Sequence, residues 1–230
     1  MDELRVRRVL DALARHRIDV SEGLGDALCA TGVDLLEVDG VGLTLQQAGT
    51  EAVPFGVSSG EMAQLEELER TLGEGPCVDA FTWGTPVGEP DLASSGRWPA
   101  FTRAALQTPA RSAFGYPLVI GDVTFGALNL FSTRSVPLTA DQHQDALALA
   151  HVAIHTAFSV LTLGGEQAVE QWNFASNELV VSQATGMIAV QLSVPVGDAL
   201  ARLRAHAFAT DRRLSDVAHD VVDRRLRFEP

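Results

Sequence analysis

Four groups of residues in this 230-residue chain have types and spacings that could do chemistry. Cys77 follows a Gly-Glu-Gly-Pro turn and opens a segment that reads as a short helix. A helix N-terminus lowers a thiol pKa, which is the setting of a reactive cysteine. None of the six histidines (His16, His143, His151, His155, His206 and His219) lies near Cys77 in sequence, so a buried small apolar group is the expected role. His151 and His155 are one helical turn apart, a metal-ligand spacing without a third ligand. A helix packed on a sheet explains them equally well. The acids of EELE (66–69) read as the solvated face of a helix. Finally, seven arginines follow position 195: Arg202, Arg204, Arg212, Arg213, Arg224, Arg225 and Arg227. Guanidinium groups suit bidentate phosphate contact and stacking on bases. No Ser-His-Asp or Cys-His arrangement, Walker sequence or GxGxxG is present. The expectation is therefore a protein that is not an enzyme, with no catalytic residue and no metal site.

Composition sets the frame for these groups. Hydrophobic residues make up 46% and charged residues 20%, as in a folded globular protein. No apolar run approaches the roughly 20 residues a bilayer requires. The first twenty residues alternate charged and apolar groups at helical spacing, without the apolar core and cleavage site of a secretory signal. Two cysteines, Cys29 and Cys77, are too few for a disulfide framework. The expected location is the cytoplasm, with no membrane partner. Net charge is −13, unevenly spread. Residues 1–165 carry 21 acidic and 10 basic groups, whereas residues 195–230 carry 6 acidic and 7 basic. All seventeen basic residues are arginine.

Hydrophobic periodicity orders the elements. Val6, Val9, Leu10 and Leu13 predict a helix over 3–16, and another is expected over 23–36. GVGLTLQ (40–46) and AVPFGVSS (52–59) read as strands joined by a turn around QAGT (47–50). EMAQLEELERTL (61–72) is strongly helical. The Gly/Pro-rich stretch 73–99 reads as loop with one or two helical turns. Residues 111–120 and 123–132 form a hairpin about Gly121-Asp122, and a helix follows over 139–163. Gly164-Gly165 then punctuates the chain. Beyond it only helices are expected, over 166–192, 196–210 and 214–227, with Pro195 opening the second. The chain thus divides into an α+β domain over 1–165 and a small all-helical domain over 166–230.

Gly186 sits inside the first of these last helices, where glycine costs about 1 kcal/mol relative to alanine. Either the helix bends there or another backbone approaches too closely for a Cβ. Val169, Trp172, Ser176, Leu179, Gln183, Gly186 and Val190 recur at alternating three- and four-residue steps, the spacing of a coiled-coil seam. A homodimer through this helix would bury what so small a domain cannot bury alone.

QATGM (183–187), VQLSV (190–194), DALARLRAHAFA (198–209) and LSDVAHDVVDRRLRF (214–228) resemble the ANTAR domain, the three-helix RNA-binding module of transcription antitermination regulators. The usual lysine between the alanine and glycine of its first helix is Thr185 here, and a later basic position is Gln191. DGVGLTL (39–45), LGEGPCVDA (72–80), PVGEPDL (86–92), RWPAF (97–101) and FGALNLFS (125–132) resemble a GAF domain. Together the two resemblances imply a GAF-type antiparallel sheet with flanking helices, followed by a three-helix ANTAR-type tail. They imply a regulator whose output binds paired stem-loops in a nascent transcript while the GAF-type domain senses an input. Gln183, Ala184, Thr185 and Gly186 would then form a flat patch for an RNA backbone or base. Arg204, His206, Arg212 and Arg213 would surround it at the next turn. The input ligand is left open, a small molecule being one class that GAF domains take, and so is any cofactor. DNA is not an expected partner, because LSDVAHDVV presents Asp216 and Asp220 where a recognition helix needs polar or basic groups. The alternative is a redox or small-molecule sensor, or an enzyme resembling the GAF-type methionine sulfoxide reductases, whose tail only dimerises. That chemistry requires two cysteines within reach of one pocket.

Overall fold

A computed structural model describes residues 2–16, 23–46, 52–163 and 176–228, and of these not the side chains of 159–163, 176–180, 182 and 215. Helices α1 (Glu3–Leu13) and α2 (Leu24–Leu36) lead into strands β1 (Gly40–Leu45) and β2 (Val53–Val57). Helices α3 (Gly60–Leu72) and α4 (Pro76–Trp83), strand β3 (Val87–Glu89) and helix α5 (Pro99–Ala105) follow. The hairpin β4 (Ser112–Ile120) and β5 (Val123–Ser132) completes the sheet, and α6 (Ala140–Leu163) crosses it. The tail consists of α7 (Ser176–Leu192), α8 (Val196–Ala209) and α9 (Leu214–Val222). The Gly164-Gly165 junction, the turn at 47–50 and Val169 and Trp172 of the predicted seam lie outside the described residues.

The sheet is antiparallel throughout, in the order β2-β1-β5-β4-β3. Strand alternation divides it into two faces. Val41, Leu43 and Leu45 of β1, with Leu128 and Leu130 of β5, join α1, α2 and α6 in one core. Ala127 and Phe131 point the other way, into a core built with α3, α4 and α5. Arg5 and Arg8 of α1 both bond the buried Asp145 of α6, each at 2.7 Å. This ties the first helix to the last one of the sheet unit.

The stretch 73–99 holds more order than its glycines and prolines suggest. Pro76 occupies the first turn of α4 and Gly84 its left-handed C-cap, the usual asymmetry of a helix. Local periodicity does not predict helix α5. Its amide groups at Ala100 and Phe101 are capped by the Glu74 carboxylate, at 2.6 and 2.9 Å, from 26 and 27 residues away. β3 exists by pairing with β4.

The tail has its own core, made of Val181, Ala184 and Ile188, then Ala199, Leu203 and Ala207, then Leu214, Val217, Ala218 and Val221. α9 stops at Val222, short of the expected 227. Arg224 takes a left-handed φ of 60°, and the Arg225 and Leu226 amides turn back to the Asp220 carbonyl at 2.7 and 2.9 Å. α8 and α9 rest against α3 of the sheet unit. Among the described residues, no single helix is long and apolar enough to cross a membrane.

Candidate functional site

Strand register builds the floor of a pocket. On the α3 side of the sheet, Gly42 stands opposite Asn129 and Thr44 opposite Ala127. Two polar side chains thus alternate with two positions too small to fill the space above them. α3 crosses this face with Met62, Leu65, Glu66 and Glu69 buried, a single stripe at i, i+3, i+4 and i+7. The expectation of a solvated EELE face is therefore corrected: Glu66 is 6% and Glu69 is 3% exposed. Gly42 makes room for this, since a Cβ there would lie 2.2 Å from Glu66 Oε1. The sequence did carry the signal, because the apolar stripe begun by Met62 and Leu65 continues through both acids.

Each carboxylate is met by donors. Thr44 Oγ1 donates to Glu66 Oε1 at 3.1 Å, and Asn129 Nδ2 donates to Glu69 Oε2 at 2.9 Å. The Cys77 amide, at the start of α4, donates to Glu69 Oε1 at 2.8 Å. Two acceptors are left over: Glu66 Oε2 and Asn129 Oδ1 are buried without a hydrogen-bond partner among the described residues. Burial pushes the Glu66 carboxyl up to about 7, opposed by the bonds from Thr44 and Asn129. Burial also pushes Glu69 well above the carboxylate range, against the Cys77 amide and with the help of Glu66. The two groups enclose a cavity of about 270 Å³ that Glu67, Arg70, Cys77, Phe81 and, from the tail, Arg204 also line. Arg70 is paired with Glu67. Such a site accepts hydrogen bonds and exchanges a proton near neutrality. A second recess, of about 400 Å³ between β4 and α6, is lined by Tyr116 and His143 and by no carboxylate.

Cys77 is buried in the core on the α3 side of the sheet. Its thiol is pushed up by burial, then by Glu69 and Glu66; the helix N-terminus does not prevail. Cys29 is buried in the core of the opposite face, its thiol likewise raised by burial. Among the described residues, then, only one thiol lines the acid pocket. The His151 and His155 rings lie with centroids 4.3 Å apart and planes tilted by 58°, and burial lowers the His151 pKa.

The residues expected to meet RNA are only partly brought together. Ala184 is fully buried and Thr185 is 4% exposed. The Thr185 hydroxyl donates to the Val181 carbonyl at 2.7 Å. Both face the tail's own core, so the expected flat patch is corrected at these two positions. Gln183 is exposed and Gly186 half-buried, and Val190, one step further along this stripe, is 81% exposed. Arg213 is exposed, and Arg212 is paired with Asp220 at 2.8 Å. His206 packs its ring against Phe228, 5.4 Å between centroids. Arg204 has been drawn away to the acid pocket.

Among the described residues no backbone crowds Gly186, because a Cβ there would meet nothing within 4 Å. Gly186→Ala is therefore expected to stabilise the isolated chain by about 0.5–1 kcal/mol, read as a higher melting temperature at low protein concentration. A lower one would show that a second copy or another helix occupies that space.

No protein-family model matches the chain, and no curated protein matches it. Its architecture does match solved structures. The GAF domain of a phosphoenolpyruvate-protein phosphotransferase from Coxiella burnetii superposes with a TM-score of 0.54 at 13% identity. That from the Acinetobacter enzyme gives 0.52, also at 13% identity. Each match covers 71% of this chain and 99% of the GAF domain. The five-stranded sheet with its flanking helices is a GAF fold.

Proposed function

We propose that this chain is a signal-responsive, RNA-binding regulator of transcription antitermination. The GAF-fold unit is its input. The three-helix tail is its output, binding paired stem-loops in a nascent transcript and so preventing a terminator hairpin from forming. The protein acts as a homodimer, one stem-loop to each protomer. Gln183, Gly186 and Val190 form an open stripe on α7 where the partner copy lies. One observation supports the division of labour: the tail has a core of its own yet rests, through α8 and α9, on α3, the helix that carries the pocket's two acids. On this reading, the contact with α3 carries what happens in the pocket to the tail.

The RNA assignment rests on the resemblance of the tail segments and on the basic groups around the α8–α9 turn. Binding of the full chain to a double-hairpin RNA should weaken steeply with salt, since each neutralised phosphate releases condensed counterions. Arg213→Ala, at an exposed position, should reduce the slope of log affinity against log salt by about 1. Filter binding over a salt series reads both quantities. Affinity that ignores salt, or no binding with or without pocket ligands, overturns the reading.

A further inference from the structure

Arg204 is the single residue of the tail, among those described, that lines the acid pocket. Its guanidinium lies along Gly73, the left-handed C-cap of α3. A Cβ on Gly73 would stand 3.1 Å from Nη1 and 3.7 Å from Cζ. The guanidinium therefore sits at the negative end of the α3 dipole, on the helix whose inner face presents Glu66 and Glu69.

The pocket itself asks for donors. Glu66 Oε2 and Asn129 Oδ1 belong to side chains 6% and 2% exposed, and neither atom has a hydrogen-bond partner among the described residues. A buried acceptor left without a donor is costly, so a molecule bringing N–H groups to both is favoured. Burial holds protons on Glu66 and Glu69, and a cation beside them favours their charged forms; Arg70, the nearest cation of α3, is already paired with Glu67. The volume, about 270 Å³, lies at the small end of the ligand-site range. Val78 and Phe81 of α4 supply an apolar wall for a short carbon chain.

We propose that Arg204 is an internal stand-in for the pocket's ligand. The pocket takes a small organic cation bearing several N–H donors, of the alkylamine, amidine or guanidine class, and that ligand displaces Arg204 and uncouples the tail from α3. This rests on the reading of the tail as the output. Competition of this kind is reciprocal: whatever frees Arg204 must also raise the pocket's affinity for its ligand.

The test uses the full chain without RNA, titrated calorimetrically with n-butylguanidinium, with its neutral counterpart n-butylurea and with butyrate. Hydrogen exchange of α8 and of the last turn of α3 is followed in parallel. The parent chain should bind n-butylguanidinium only, and exchange in both segments should quicken on binding. Arg204→Ala and Arg204→Gln should each bind the probe about tenfold more tightly, the internal competitor being gone, and exchange quickly before it is added. Glu66→Gln should weaken the probe, so that exchange stays slow at probe concentrations that quicken it in the parent chain. Equal or weaker binding by both Arg204 variants would make Arg204 part of the site rather than its rival. That result overturns the proposal, as do equal binding of n-butylurea, exchange that ignores the probe, or no binding by any variant. Since no arm contains RNA, these outcomes stand whether or not the tail binds it.

Discussion

Glu66→Gln is expected to be more stable than the parent chain at pH 8 and to match it near pH 4. In the folded chain, burial raises this carboxyl from its ordinary 4.5 to about 7. Between those values the folded state holds a proton that the unfolded state has released, so unfolding free energy falls as pH rises. The contribution is complete below the unfolded pKa and is lost as pH passes through the folded one. A difference of that size corresponds to about 3 kcal/mol. Glutamine keeps an acceptor for Thr44 and does not titrate, so it lacks this slope. Urea midpoints of both chains from pH 4 to pH 8 should diverge steadily through the window. Curves that stay parallel would show that Glu66 is not held in its neutral form by burial.

The second large effect is steric. α2 crosses β2 at a glycine pair, where a Cβ on Gly25 would lie 1.8 Å from the Phe55 carbonyl oxygen. A Cβ on Gly56 would lie 2.1 Å from the Gly25 carbonyl carbon. Both obstacles are backbone, so no rotamer change relieves them and the helix must lift from the sheet. Gly25→Ala is expected to lower stability by about 3 kcal/mol, the upper end of the usual overpacking cost. Gly197→Ala is the control, with nothing within 4 Å among the described residues; it should be neutral or slightly stabilising. If thermal melts show the two variants to be alike, the close α2–β2 crossing is wrong.

Much of the architecture was legible in the chain. The hairpin about Gly121-Asp122, the helix over 61–72 and the strand over 40–46 follow from local periodicity, and the structure has them to within a residue. Local pattern also holds the start and stop of α4, Pro76 and Gly84, although the surrounding glycines and prolines obscured them. Local periodicity did not choose between stripes. In α7 two lines of small residues compete, and contact with α8 and α9 turned Ala184 and Thr185 inward while leaving Gln183 exposed.

By itself, then, the sequence determined the order of the main elements and the α+β character, because these depend on neighbours within a turn or a strand. The tertiary structure decided that EELE is a pocket wall and that Arg204 faces acids. The partners concerned come from far along the chain: Thr44 reaches Glu66 across 22 residues and Asn129 reaches Glu69 across 60. A carboxylate's burial is fixed by what the fold sets opposite it, here a glycine, a threonine and an asparagine on two paired strands, and no local spacing encodes that pairing.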